Sequence, residues 1–152
     1  MAQVSVTAQR VVHGSAQQVR TALADYRAVR PKILTEQYSE YEVREGGQGA
    51  GSQVHWKLAA TQKRVRDQLV DVTQPTGSEG DWSLVESDRN SSMVTTWTVS
   101  PAENDASTVR VHTTWDGAGG IGGFFERMFA PPGLRRIHDG ILTNLDSMLA
   151  AT

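Results

Sequence analysis

The sequence predicts an α+β fold: a curved antiparallel sheet of about seven strands around one long C-terminal helix, with two short helices after the first strand. Three observations predict it. The N-terminal residues alternate polar and apolar side chains with period two. Residues 38–116 are a succession of strand-like runs between turn clusters. The tail then changes to helical spacing. With 152 residues the chain is about one domain long, and residues 1–152 are expected to form one.

The first strand places Val4, Val6 and Ala8 on one parity and Ser5, Thr7 and Gln9 on the other, and ends at Gly14. Ser15 followed by Gln18 is a capping box, which starts a helix. Val19, Ala22, Leu23 and Tyr26 recur at helical spacing, and Pro31 interrupts them. One helix is expected over about 16–25 and a short second one near 28–35.

From Tyr38 to Asp116 the pattern is all strand. Turns fall at Gly46-Gly47-Gln48-Gly49, Pro75-Thr76-Gly77-Ser78, Asp88-Arg89-Asn90 and Glu103-Asn104-Asp105, with Thr61-Gln62-Lys63 a weaker boundary. Short polar turns between consecutive strands make an antiparallel meander. In the tail, Ile121, Phe124, Phe125, Met128 and Phe129 share a helical face. Pro131-Pro132-Gly133 kinks or breaks it. Leu134, Ile137, Ile141, Leu142, Leu145, Met148 and Leu149 resume one stripe. A sheet this wide curls, and only the long helix can cover its concave face. The gap between them is the natural ligand site.

Composition excludes several functions. A net charge of -2 argues against binding nucleic acid. The absence of cysteine excludes disulfides, thiolate nucleophiles and thiolate metal sites. Mean hydropathy is -0.41, and no apolar run approaches the roughly 20 residues of an integral membrane segment. The N-terminus lacks a secretory pattern, so a cytoplasmic protein is expected.

The order of elements resembles the helix-grip fold of the SRPBCC superfamily, which includes START-type lipid-transfer domains and the birch-pollen-allergen family. The resemblance covers about residues 3–150. It rests on Ser15-Ala16-Gln17-Gln18-Val19 opening the first helix, Asp25-Tyr26 closing it and Pro31 starting the next turn. It continues through Gly49-Ala50-Gly51-Ser52-Gln53-Val54, Thr96-Trp97-Thr98-Val99, Phe124-Phe125-Glu126-Arg127 and Leu134-Arg135-Arg136. The bacterial polyketide cyclase/dehydrase and lipid-transport branch is the most similar. The resemblance implies a cavity for a small hydrophobic or aromatic ligand that is lipid-, polyketide- or quinone-like. The chain would then carry or sequester that ligand without a cofactor, as a monomer or weak dimer. The alternative is a cyclase/dehydratase enzyme of the aromatase kind. Such enzymes line the pocket with tryptophans and an arginine. Here Trp56 is followed on its own parity by Leu58 and Ala60, so no catalytic residue is transferred.

Several residues are candidates for the ligand site. At about 100° per residue, His138 lies about 40° from Leu134 and about 20° from Leu145, inside the apolar stripe. A histidine there either hydrogen-bonds within the core or faces a cavity. Trp56, Trp97 and Trp115 share parity with apolar neighbours and face inward, as ordinary core or as the aromatic walls of a pocket. Thr95 and Thr113 share that inner parity and supply hydroxyls to a ligand or to the backbone. Phe124 and Phe125 on the covering helix and Tyr26 complete the set. Gly117–Gly122 fits G-x-G-x-x-G, but no second parallel strand follows, so residues 117–123 form either a connector or a mobile lid. Lys63, Arg64 and Arg66 form a basic cluster. Val65 and Leu69 on the other parity point the arginines outward, the alternative being Arg66 paired with a ligand carboxylate. His13, His55 and His112 lack metal-ligand spacing, and no metal site is expected.

Overall fold

The computed structural model describes residues 3–61, 64–74, 82–116 and 131–151. Its elements are β1 (Gln3–Val12), α1 (Ala16–Ala24), α2 (Arg30–Ile33), β2 (Tyr38–Glu45), β3 (Gln53–Thr61), β4 (Arg64–Thr73), β5 (Ser83–Asp88), β6 (Val94–Pro101), β7 (Ser107–Asp116) and α3 (Pro131–Ala150), with a 3-10 turn at Glu103–Asp105. The strands form one seven-stranded sheet in the order β1-β7-β6-β5-β4-β3-β2. Every pairing is antiparallel. The chain makes a meander from β2 to β7, and β1 closes beside β7. α1 and α2 therefore carry the chain from one edge of the sheet to the other.

Local chemistry explains the helix boundaries. Ser15 Oγ accepts from the Gln18 amide at 3.2 Å while the Gln18 side chain accepts from the Ser15 amide at 2.9 Å, the reciprocal capping box read from the sequence. Pro31 sits in the first turn of α2, where its missing N–H leaves no bond unmade. The expected second helix contracts to four residues around it. Pro131 and Pro132 are the first described residues of α3. The stretch 117–130, with the glycine-rich segment, Phe124 and Phe125, lies outside the described residues.

The glycines at the β2–β3 turn have positive φ, and Gly47 at φ 126° shows why. A Cβ there would lie 2.5 Å from Arg27 Nε. Arg27 packs over the turn to donate to the Gly46 carbonyl at 2.8 and 3.1 Å.

The core lies between the concave face of the sheet and α3. Val6, Val54, Leu58, Leu84, Val109 and Val111 from the sheet are buried, as are Leu134, Ile137, Ile141, Leu142 and Leu145 from the helix. The predicted stripe of α3 is thus the face it buries. The parity inferred for β4 is corrected. Val65 is 43% exposed, whereas Gln68, Val70 and Val72 face inward and Arg66 shares their parity. Apolar residues occur on both parities of this strand, so its own pattern is ambiguous. Its partner decides: Trp56 pairs with Gln68 and Leu58 with Arg66, and residues directly opposite share a face.

Candidate ligand-binding site

A hollow of about 30 Å³ lies between β3–β6 and the helices α2 and α3. This is room for about two water molecules. Its lining mixes aromatic and polar groups, and two hydrogen-bonded clusters hold it.

The first cluster centres on Glu86. In β5 the inward parity carries Leu84, Glu86 and Asp88, which delivers a carboxylate to the concave face. Glu86 is 6% exposed, and its oxygens accept from the Tyr26 hydroxyl at 2.5 Å, Arg30 Nη1 at 2.6 Å and Trp97 Nε1 at 3.0 Å. Arg30 is 1% exposed. Its guanidinium carbon lies 4.5 Å from the centre of the Tyr26 ring and 5.0 Å from that of Trp97, and Nη2 donates to the Leu23 carbonyl at 2.8 Å. Burial pulls the pKa of this arginine down, but the carboxylate beside it outweighs that and holds it above the ordinary value. Burial and Glu86 together push the Tyr26 hydroxyl well above its usual range, so it stays protonated and donates. A buried ion pair is costly to desolvate unless its remaining lone pairs and protons are satisfied, and here three donors converge on one carboxylate.

The second cluster fixes Trp56. Its indole N–H donates to Gln68 Oε1 at 2.7 Å, and Gln68 Nε2 donates to Asp88 Oδ2 at 3.3 Å. Asp88 also accepts from the Leu69 and Asn90 amides and the Ser91 hydroxyl. Tyr38 meets the Trp56 ring edge-on at 5.8 Å and Tyr41 stacks on it at 6.2 Å. The indole is held by packing and hydrogen bonding at once.

From the helix side comes His138, 3% exposed and among the lining residues. Its Nε2 lies 2.8 Å from Thr113 Oγ1, which is 2.8 Å from Thr95 Oγ1. Burial pushes its pKa down to about 4, against a weak opposing pull from Glu86, so the ring is neutral at pH 7. Among the described residues its buried Nδ1 has no hydrogen-bond partner, and neither have Arg30 Nε and Trp115 Nε1.

The structure brings His138, Trp56, Trp97 and Thr95 to the hollow. Tyr26 and Thr113 stand one step behind, bonded to Glu86 and His138. Trp115 is buried in the core, apart from the described lining. Phe124 and Phe125 lie outside the described residues. Arg30, Glu86, Gln68, Asp88 and Tyr38 are site residues that the sequence reading missed. A signal existed for Glu86, a carboxylate on the same parity as Leu84. Nothing near Pro31 marks Arg30 as buried, because its partner is 56 positions away. The other histidines have separate partners: His13 with Asp146, His55 with Asp67 and His112 with Thr7, each at 2.6 Å. Among the described residues no metal-binding group of His, Asp or Glu gathers, and no helix is long and apolar enough to cross a membrane.

The family model described as polyketide cyclase/dehydrase and lipid transport matches residues 3–150. The chain belongs to that family. This bears out the resemblance and the helix-grip fold expected from it. The solution NMR structure of the KanY protein is 48% identical, with 99% of each chain covered and a TM-score of 0.85. A norcoclaurine synthase point mutant of Thalictrum flavum, in complex with a transition-state analogue, has a TM-score of 0.70 at 11% identity, covering 99% of this chain and 96% of that one. The Zhui aromatase/cyclase of Streptomyces sp. R1128 has a TM-score of 0.67 at 12% identity, covering 98% and 94%. The last two show a shared fold. The chain matches no curated protein.

Proposed function

We propose that this chain, as a single domain, binds a small hydrophobic or aromatic molecule, lipid-, polyketide- or quinone-like, between the sheet and α3, as a carrier or sequestering protein. One observation carries the reading: a hollow walled by Trp56, Trp97 and Tyr38 also contains the 3%-exposed His138, whose Nδ1 has no partner among the described residues. A buried polar atom without a partner costs free energy, and a ligand that bonds it recovers that cost. Apolar ligand surface would contribute about 25 cal/mol per Å² removed from water. His138 and Thr95 would orient the ligand, with Thr113 and Tyr26 fixing the groups that touch it. Ligand pockets commonly enclose about 300–1,000 Å³. Loading the 30 Å³ hollow therefore requires its walls to part.

Native mass spectrometry of protein purified from its host, with uptake of the neutral probe Nile red, tests the reading. A retained small molecule, and Nile red fluorescence that rises and saturates, are expected. A protein that arrives empty and takes up no probe would overturn it.

A cyclase/dehydratase is the second reading, favoured by His138, Glu86 and Arg30 all lining one hollow. Proton shuttling needs ionisable groups gathered in this way. On that reading His138→Ala abolishes turnover while binding survives. Binding without any turnover in the unsubstituted protein favours the carrier.

A further inference from the structure

Thr113 is fully buried between two groups that line the hollow. Its hydroxyl oxygen is 2.8 Å from Thr95 Oγ1 and 2.8 Å from His138 Nε2. A hydroxyl has one proton, and a neutral imidazole has one N–H. The run Thr95–Thr113–His138 therefore has two self-consistent arrangements. In one, Thr95 donates to Thr113, Thr113 donates to Nε2, and the imidazole proton sits on Nδ1. In the other, Nε2–H donates to Thr113, Thr113 donates to Thr95, and Nδ1 is a bare acceptor. Interconversion moves one proton from Nδ1 to water and returns one from water through Thr95 and Thr113 to Nε2, so the total is unchanged.

The outer end of this run is Nδ1, buried and without a partner among the described residues. The charges around it are already committed. Among the described residues the lining holds one permanent cation, Arg30, against two carboxyl groups, Glu86 and Asp88. Arg30 is bonded to Glu86 at 2.6 Å. The described lining thus offers hydrogen bonds of either polarity and no cation left over for an anion.

Resting on the reading of this hollow as the ligand site, we propose that Thr95, Thr113 and His138 form a tautomer-coupled reader that selects uncharged aromatic alcohols and ketones over carboxylates. A ligand carbonyl accepts from Nδ1–H; a ligand hydroxyl donates to bare Nδ1. Thr113 is the positioning residue, because its hydroxyl turns to satisfy Nε2 in either state. A carboxylate meets two carboxyl groups and a histidine that resists protonation.

The test uses the full chain with ¹⁵N-labelled histidine at pH 7, titrated with 2-naphthol, 2-acetylnaphthalene and 2-naphthoate. The two neutral probes are expected to bind within about tenfold of each other and 2-naphthoate at least about tenfold more weakly, a difference of roughly 1.4 kcal/mol. The His138 proton is expected on Nε2 with 2-naphthol and on Nδ1 with 2-acetylnaphthalene. Thr113→Val should weaken both neutral probes about tenfold and Thr113→Ser restore them, since one buried partner is lost and regained. The same His138 tautomer in both complexes, or 2-naphthoate bound as tightly as 2-naphthol, overturns the reader while leaving the ligand site standing. Failure of all three probes and of Nile red overturns the site itself and the reader with it.

Discussion

Glu86 and Arg30 form an ion pair that the fold cannot leave half-made. Removing one partner of a buried pair strands the other charge, which typically costs about 3–5 kcal/mol. Arg30→Met is expected to lower stability by that order in urea melts. In a double-mutant cycle with Glu86→Leu, the double variant should be more stable than the summed single losses, because no charge is stranded. Additive losses would show that the pair does not couple. At His138 the sign of the pH effect follows from its pKa of about 4, against an ordinary 6.5. The unfolded chain binds a proton that the folded chain refuses, so stability is fully present above pH 6.5 and is lost as pH falls toward 4. The loss is about 3 kcal/mol at 1.36 kcal/mol per unit. His138→Gln should flatten the stability profile in that window. The sequence located His138 well, because a helical wheel needs only local spacing. It did not locate Glu86 or Arg30, because a buried charge is acceptable only with its partner, and that partner is remote in the chain.

At the scale of elements, α3 is held at both sides. Near its middle, Gly140 lies so close to the segment after α2 that a Cβ would meet Thr35 Cγ2 at 2.8 Å. Gly140→Ala is expected to destabilise by about 1 kcal/mol, although alanine favours a helix over glycine by a similar amount. In a Thr35→Ser background, where that methyl is gone, the same change should stabilise. Thermal melts of the four proteins check this, and a stabilised Gly140→Ala single variant would refute the close approach. Further along, Asp146 accepts from Arg10 and from the backbone and ring of His13, tying α3 to the end of β1. Burial opposes the shift, but these donors hold its pKa below the ordinary 3.8. Its contribution is present above that value and is lost as pH falls through the depressed one. Asp146→Ala should cost about 1–3 kcal/mol at neutral pH and flatten the stability profile only in strong acid, a window separate from that of His138. The apolar stripe of α3 was legible because one helix face repeats at a single period. The facing of β4 was not, because valines stand on both parities and only pairing with β3 selects one.

For the whole molecule, the small hollow sets the expected thermodynamics. A ligand that binds only the folded state adds RT ln(1 + [L]/Kd), about 2.7 kcal/mol at a hundredfold excess over Kd. Saturating 2-naphthol is therefore expected to raise the unfolding midpoint in proportion to ln[L], and a midpoint independent of ligand would exclude binding to the native fold. The sequence by itself determined the succession of elements, the capping of α1, the buried stripe of α3 and the inward tryptophans. These follow from period, turn chemistry and proline, all of which act within a few residues. Tertiary structure alone decided that Glu86 would meet Tyr26, Arg30 and Trp97, that Thr113 would bridge Thr95 to His138, and that the space left between them would be small. Those contacts join residues up to 60 positions apart. They depend on strand register and on how closely α3 approaches the sheet, and neither is encoded in the spacing of any one segment.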